Sequence, residues 1–244
     1  MKSDLRQTAE SEDNYLECEK KWAFAMLIFV AGFYGAFTYS IRGGVFCNAQ
    51  TANFVLFSME IGRGNFVDAL YYLIPMGAYL LGAVVSEILP KPMKKLGLIR
   101  WDTFLIIVEM LVVIILGFLP ESAPFQISQV AINFICSMQY NTFRQAQGVP
   151  MATTFCTNHI RQVGVWLTKT IKYKDKKYAN RMLNHIVMLL CFCVGVTIST
   201  FFCNLIYGKA IWLTLIPLGI LLCNFLYADL KTEHDRLYQK PRGH

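Results

Sequence analysis

Charge is scarce in this sequence: 16% of its 244 residues are Asp, Glu, Lys or Arg, against roughly 25% in soluble domains. No stretch is long and polar enough for a separate soluble core, which leaves one membrane domain. Clustered cysteines are missing too. The eight are scattered, and Cys136, Cys191, Cys193, Cys203 and Cys223 lie in apolar runs, so no disulfide framework is implied. Cys191 and Cys193 point to different sides of a helix and make no tetrahedral metal site without partners. After the polar first 21 residues no small-residue cleavage pattern follows, so the first apolar run is expected to stay in the chain. A nucleophile elbow, a phosphate loop, a zinc HExxH and a paired-carboxylate hydrolase site are all missing, so neither an enzyme nor a bound cofactor or metal is expected.

What is present is hydrophobicity: 55% of residues, with mean hydropathy +0.40. The formal charge of +7 sits in short loops beside apolar runs, which marks a cytoplasmic face and not a nucleic-acid footprint. Runs able to span a core of about 30 Å cover 22–40, 69–89, 103–119, 186–207 and 211–228. The run 126–143 is apolar on one side and carries Gln129, Asn133, Ser137 and Asn141 at four-residue steps, a polar stripe on one helix face.

Two segments, 43–62 and 148–173, are ambiguous, and loop charge decides how they sit. If both crossed fully, with the N-terminus inside, the loop with Lys91, Lys94, Lys95 and Arg100 would fall outside, against the positive-inside tendency. If both dip in and return on the same side, that loop, the one with Lys169, Lys172, Lys174, Lys176, Lys177 and Arg181, and both termini are cytoplasmic. The expected fold is therefore all-α: six transmembrane helices with two re-entrant half-helices. The dips echo each other, Arg42-Gly-Gly-Val-Phe and Thr51-Ala-Asn53 against Arg144, Gly148-Val-Pro150 and Thr157-Asn-His159. Each is preceded by one span and followed by two, and three spans per half force a 3+3 inverted repeat. The divisions are a cytoplasmic tail 1–21, repeats 22–120 and 121–230, and a cytoplasmic tail 231–244.

Thr51 and Thr157 are expected to cap short helices that begin deep in the membrane, the first rising about 18 Å at 1.5 Å per residue. Irregular backbone at that depth needs covering protein or water, and helix N-termini there favour anionic or dipolar solutes. The expected binding residues are Gln50, Thr51, Asn53, Asn141, Thr154, Thr157, Asn158 and His159. Arg42, Arg144 and Arg161 add positive field, or else snorkel or pair with Glu87 or Glu109. Glu109 interrupts an apolar span, so it is either a proton-coupling group or locked to an arginine. The stripe of 126–143 lines a pathway or bonds helices together, at roughly 0.6–2 kcal/mol per contact. Gly32, Gly35, Gly77 and Gly82 are read as helix-packing positions, and His185 as solvated at the start of a span.

The stretch Gly43 to Asn53, and later Met138 to Arg144 with Ala152 to Arg161, resembles the YoaK-type bacterial membrane proteins, a domain of unknown function with six membrane segments. The resemblance covers most of 23–228. In that family the deep motifs look like Gln-Thr-Gly-Asn and Cys-Thr-Gly-Asn; here Ala52 replaces the first glycine, and Asn158 and His159 replace the second Gly-Asn pair. The resemblance implies a bacterial plasma membrane and names no substrate. The leading expectation is a transporter or channel for a small polar or anionic solute, in contact with the lipid bilayer, with a homodimer suggested by the small size. The alternatives are a non-transport sensor or assembly protein, and an intramembrane enzyme using Glu109 and His159.

Overall fold

The computed structural model describes residues 15–242. The N-terminal tail expectation falls mostly on residues 1–14, outside the described residues, as do the last two of the C-terminal tail. The described chain is helical: α1 (Lys21–Ile41), α2 (Gln50–Gly62), α3 (Phe66–Ile88), α4 (Pro90–Leu96), α5 (Trp101–Gly117), α6 (Phe125–Thr142), α7 (Thr157–Tyr173), α8 (Lys176–Ile206) and α9 (Leu215–Tyr227). A two-stranded antiparallel ribbon, Gln145–Ala146 with Val149–Pro150, precedes α7. Among the described residues three helical stretches are long and apolar enough to cross a membrane: Lys21–Ile41, Phe66–Met93 and Lys176–Thr232. The last has 57 residues and would reach about 85 Å if straight. It breaks at Tyr207, with φ 50° and ψ −129°, and a 3-10 segment, Tyr207–Thr214, turns the chain into α9.

Side-chain contacts fix which helix ends meet. Trp22 at the start of α1 packs on Phe225 at the end of α9, Thr103 near the start of α5 reaches Asp229, and Asn141 at the end of α6 reaches Ser86 near the end of α3. The N-terminal segment joins the same end, where the Glu17 amide donates to Glu233 and the Arg242 amide to Glu19. At the far end Arg42 meets Glu121, Glu121 accepts from the Gly208 amide, and Phe118 packs on Trp212. The helices α1, α3, α5, α6, α8 and α9 therefore alternate in direction along the chain, and the described termini meet at one end.

α1 is central, with Phe24, Leu27, Ile28, Val30, Phe33, Tyr34 and Phe37 all buried. It packs on α8, while α3 packs on α6; α5 packs on α9; α2 packs on α3 and α7 on α8. Both main contacts close through glycine. A Cβ on Gly32 would stand 2.3 Å from the Phe192 carbonyl oxygen, one on Gly195 2.1 Å from that of Phe29, and one on Gly82 2.4 Å from that of Phe134. The packing reading holds for Gly32 and Gly82, and for Gly35, whose Cβ would meet Asn48. It fails for Gly77, which faces open space because it points away from α6.

Candidate functional site

Both ambiguous segments break the helical pattern, and side-chain hydrogen bonds shape each break. In the first, Asn53 donates from Nδ2 to the Phe46 carbonyl at 2.6 Å and accepts the Phe46 amide at 3.0 Å. In the second, His159 Nε2 lies 2.8 Å from the Ala152 carbonyl. The spacing is seven residues in both, and the same offset separates Asn53 from His159 and Phe46 from Ala152. Two side chains of different chemistry thus tie a loop of the same length at each break. An N–H at His159 Nε2 leaves Nδ1 as the acceptor in the neutral ring, so the contact of 3.0 Å to His185 Nδ1 is a donation from His185. His185 is buried against His159, not solvated, because α7 folds back along the first turns of α8.

The capping expectation is not met. The N-caps are Ala49 and Cys156, with no side-chain cap bond at either. Thr51 and Thr157 lie within the first turns and are exposed. Ala52 and Asn158 are helical residues outside the positive-φ set, so glycine's conformational freedom is not needed at either place.

What the structure brings together is the two breaks themselves, along α1 and α6. Asn48 donates to the Ala31 carbonyl at 2.9 Å, and Gln139 lies 3.3 Å from the carbonyls of both Leu27 and Thr153. Leu27 and Ala31 are one turn apart, about 6 Å. On α6, Cys136 touches Cys47 with sulfurs 3.7 Å apart, again one turn from Gln139. Tyr79 on α3 lies close to Cys47, Cys136, Tyr140 and Thr154, bridging the two breaks. Among the described residues Ser137 Oγ, Gln139 Oε1 and Thr153 Oγ1 are buried without a hydrogen-bond partner, while the Thr154 hydroxyl faces that of Tyr79. Each such group costs about 1–3 kcal/mol unless water or a ligand satisfies it.

Gln50 donates to Asn133 at 2.8 Å, and Gln129 donates to the Arg42 carbonyl and to the Tyr71 hydroxyl, each at 2.6 Å. Much of the polar stripe therefore holds the first break in place. Asn141 and Arg144 form a cluster with Ser86 and Glu87 at the end where the termini meet. With Asn158, Tyr140 and Phe155 they line a pocket of about 440 Å³. Arg161 bonds Asn158 on the surface of α7. Arg42 is buried and pairs with Glu121 at 3.2 Å, not with Glu87 or Glu109.

Glu109 is fully buried beside Tyr34 and Cys136, and neither of its oxygens has a hydrogen-bond partner among the described residues. The locked arginine pair is thereby excluded. His159 contacts His185 and Ala152, and Glu109 shares neither neighbour, so the pair proposed for an intramembrane enzyme is not assembled. Missed by sequence reasoning were Tyr79, Gln139 and Asn48. Asn48 and Gln139 fall inside the stretches that carry the family resemblance but outside the residues that echo between the dips, and Tyr79 lies outside both. Outside the membrane-length helices, burial and then the nearby Asp102 carboxylate push the Cys18 thiol well up, leaving it unreactive in the folded chain.

The class defined so far is a helical protein with membrane-length helices and a polar seam between two helix breaks. The chain matches the family described as "Protein of unknown function (DUF1275)" over residues 23–224, and it belongs to that family. No curated protein and no solved structure matches it.

If His159 acts as the loop anchor, His159→Asn installs the other half's anchor and should keep the thermal midpoint within a few degrees. His159→Leu should lower it by several degrees, because it leaves the Ala152 carbonyl without its donor, at about 1–3 kcal/mol. Equal midpoints for the two variants in detergent would refute the anchoring role.

Proposed function

We propose that this chain crosses a bacterial plasma membrane six times, with both termini cytoplasmic and the two breaks dipping in from opposite faces. It passes a small polar or anionic solute between them. The alternating direction of these six helices supports this reading, although α5 has only 17 residues and α9, which continues from a 3-10 segment, 13. An inverted repeat also requires the packing to map onto itself when halves are exchanged. α1 on α8 answers to α3 on α6, α2 on α3 to α7 on α8, and α1 on α9 to α5 on α6. Lys91, Arg100, Lys174 and Lys240 lie toward the end where the termini meet, in keeping with a cytoplasmic assignment.

The observation that carries transport is the row of unpartnered polar atoms where the breaks meet, Ser137 Oγ, Gln139 Oε1 and Thr153 Oγ1, beside the facing hydroxyls of Thr154 and Tyr79. A dry structural seam would leave them unsatisfied at a steep cost, whereas a hydrated path satisfies them. The N-termini of α2 and α7 add positive dipole ends. Glu109 is the coupling candidate, and the pocket at Asn141, Arg144 and Asn158 serves as the cytoplasmic mouth. The second reading, an assembly or sensor protein, is favoured by the polar groups of Gln50 and Asn53, which are spent on holding the first break.

Reconstitution into proteoliposomes, assayed against small anions, amino acids and neutral polar solutes, tests the proposal. Flux of at least one solute is expected, reduced at least severalfold by Thr154→Leu with folded protein retained. No flux for any of them, with folded protein shown, favours the second reading. Topology is tested separately by single cysteines at two exposed positions. Arg63→Cys should react with an impermeant reagent from outside, and Lys174→Cys only from inside.

A further inference from the structure

We propose that the α7–α8 hairpin is a docking arm for the anionic headgroups of the cytoplasmic leaflet. The arm's charge is one-sided. Between Glu121 and Asp229 the sequence holds a single acid, Asp175, which caps α8 by accepting the Lys177 amide at 2.8 Å. Lys172, Lys174, Lys176 and Lys177 are exposed around it. Lys169 and Arg181 sit over the Trp166 ring at 4.4 and 4.8 Å, and Tyr178 stacks on the same ring, so the hairpin's base is fixed by aromatic contacts.

The fold itself does not require this charge. In the other half the corresponding hairpin joins α2 to α3 through Arg63 and Asn65, and both bond Glu60. Its helix α2 has 13 residues, against 17 in α7. α8 also starts early: with Phe192 level with Gly32, its first turn lies about 8 Å beyond the start of α1 at 1.5 Å per residue. The basic turn therefore stands clear of the bundle at the end where the described termini meet.

Its second property selects a lipid surface over other polyanions. Ile160, Leu167 and Ile171 are exposed at 62%, 45% and 68%, and their spacing places them in one stripe along α7. Arg161 and Lys172 run beside that stripe. On the membrane placement proposed above, the stripe climbs through the acyl chains, and Lys172 at its upper end stands at the headgroups beside the other lysines of the turn. A second copy of the same arm would be repelled by its own charge, and a nucleic acid would leave the stripe exposed to water.

The inference rests on the membrane placement proposed above and not on transport, so it is read without flux. The purified full-length chain is delipidated in neutral detergent and offered equal phosphatidylglycerol and phosphatidylcholine, and retained lipids are counted by native mass spectrometry. At about fivefold per lysine near an anionic surface, preference for phosphatidylglycerol should exceed tenfold. It should collapse in about 0.5 M salt, where screening acts within a few Å. Lys172→Gln with Lys174→Gln, Lys176→Gln and Lys177→Gln should abolish it, while the four Lys→Arg changes should keep it. Preference that survives salt or the glutamine variant overturns the proposal. So does displacement of phosphatidylglycerol by an equal concentration of a short RNA duplex. The salt arm uses the unaltered chain, so the test stands even if a variant fails to fold.

Discussion

Gly195→Val is expected to remove the folded bundle from solution. The contact between α1 and α8 is made by glycine on both helices, and a Cβ at 195 would lie 2.1 Å from the Phe29 carbonyl oxygen and 3.0 Å from its carbon. These are backbone atoms at the centre of the most buried helix, so no side chain can rotate away. The helices must separate along their length. Overpacking a rigid core costs 1–3 kcal/mol and more where backbone must shift; here the loss should exceed about 3 kcal/mol. In detergent the thermal midpoint should fall by at least about 6–12 °C at 2–4 °C per kcal/mol, or the monomer peak should vanish on size exclusion. Gly77→Val is the control, because nothing lies within 4 Å of a Cβ there. A midpoint for Gly195→Val equal to that of Gly77→Val would show that α1 and α8 do not pack as described.

The second large effect is expected at Arg100. Its Nε donates to Asp229 at 2.6 Å, its Nη2 donates to Glu233, and its own amide reaches Asp229 at 2.9 Å. Thr103 and the Glu17 amide complete the coordination of the two acids. Arg100→Met leaves two buried carboxylates without their cation, and breaking such a pair from one side costs about 3–5 kcal/mol. The cluster also ties the N-terminal segment to the region after α9, so the variant should be cleaved faster by protease near residues 15–20. Removing both acids with the arginine, as Arg100→Met with Asp229→Asn and Glu233→Gln, should recover most of the loss, since a neutral group replaces the whole cluster. A triple variant no more stable than the single one would mean that Arg100 acts through packing and not charge.

These two sites differ in how far they were legible beforehand. Gly32 and Gly82 were readable as packing positions because small residues in apolar runs have few other uses. Gly195 was not singled out, and its partner was beyond reach, since α1 and α8 are separated by most of the chain. Arg100 was visible only as part of a basic loop. Asp229 and Glu233 lie in the segment after α9, and nothing in either stretch signals that residues 17–19 close on residues 233–242.

The helices lay close to their apolar runs for a simple reason: a run of about 20 apolar residues has no other stable form in lipid. The largest boundary difference is α8, which starts ten residues before the run 186–207. Its extra turns are polar, and hydropathy does not register a helix once it leaves the apolar layer. The two breaks were also legible, through glycines and a repeated motif, but their working residues were not. Cap propensity favours Thr51 and Thr157, whereas Ala49 and Cys156 hold those places because the loops are tied from Asn53 and His159 instead.

By itself, then, the sequence determined the helical class, the positions of the long apolar helices and the two interruptions. All of these follow from local composition and spacing. Only the tertiary structure decided that the breaks meet within one turn of α1, that Tyr79, Gln139 and Asn48 sit at their junction, and that Glu109 meets no arginine among the described residues. It also decided that His185 is the buried partner of His159. Each of these depends on which helix faces which, and that is set by close approach at a few glycines and by hydrogen bonds between residues far apart in the chain.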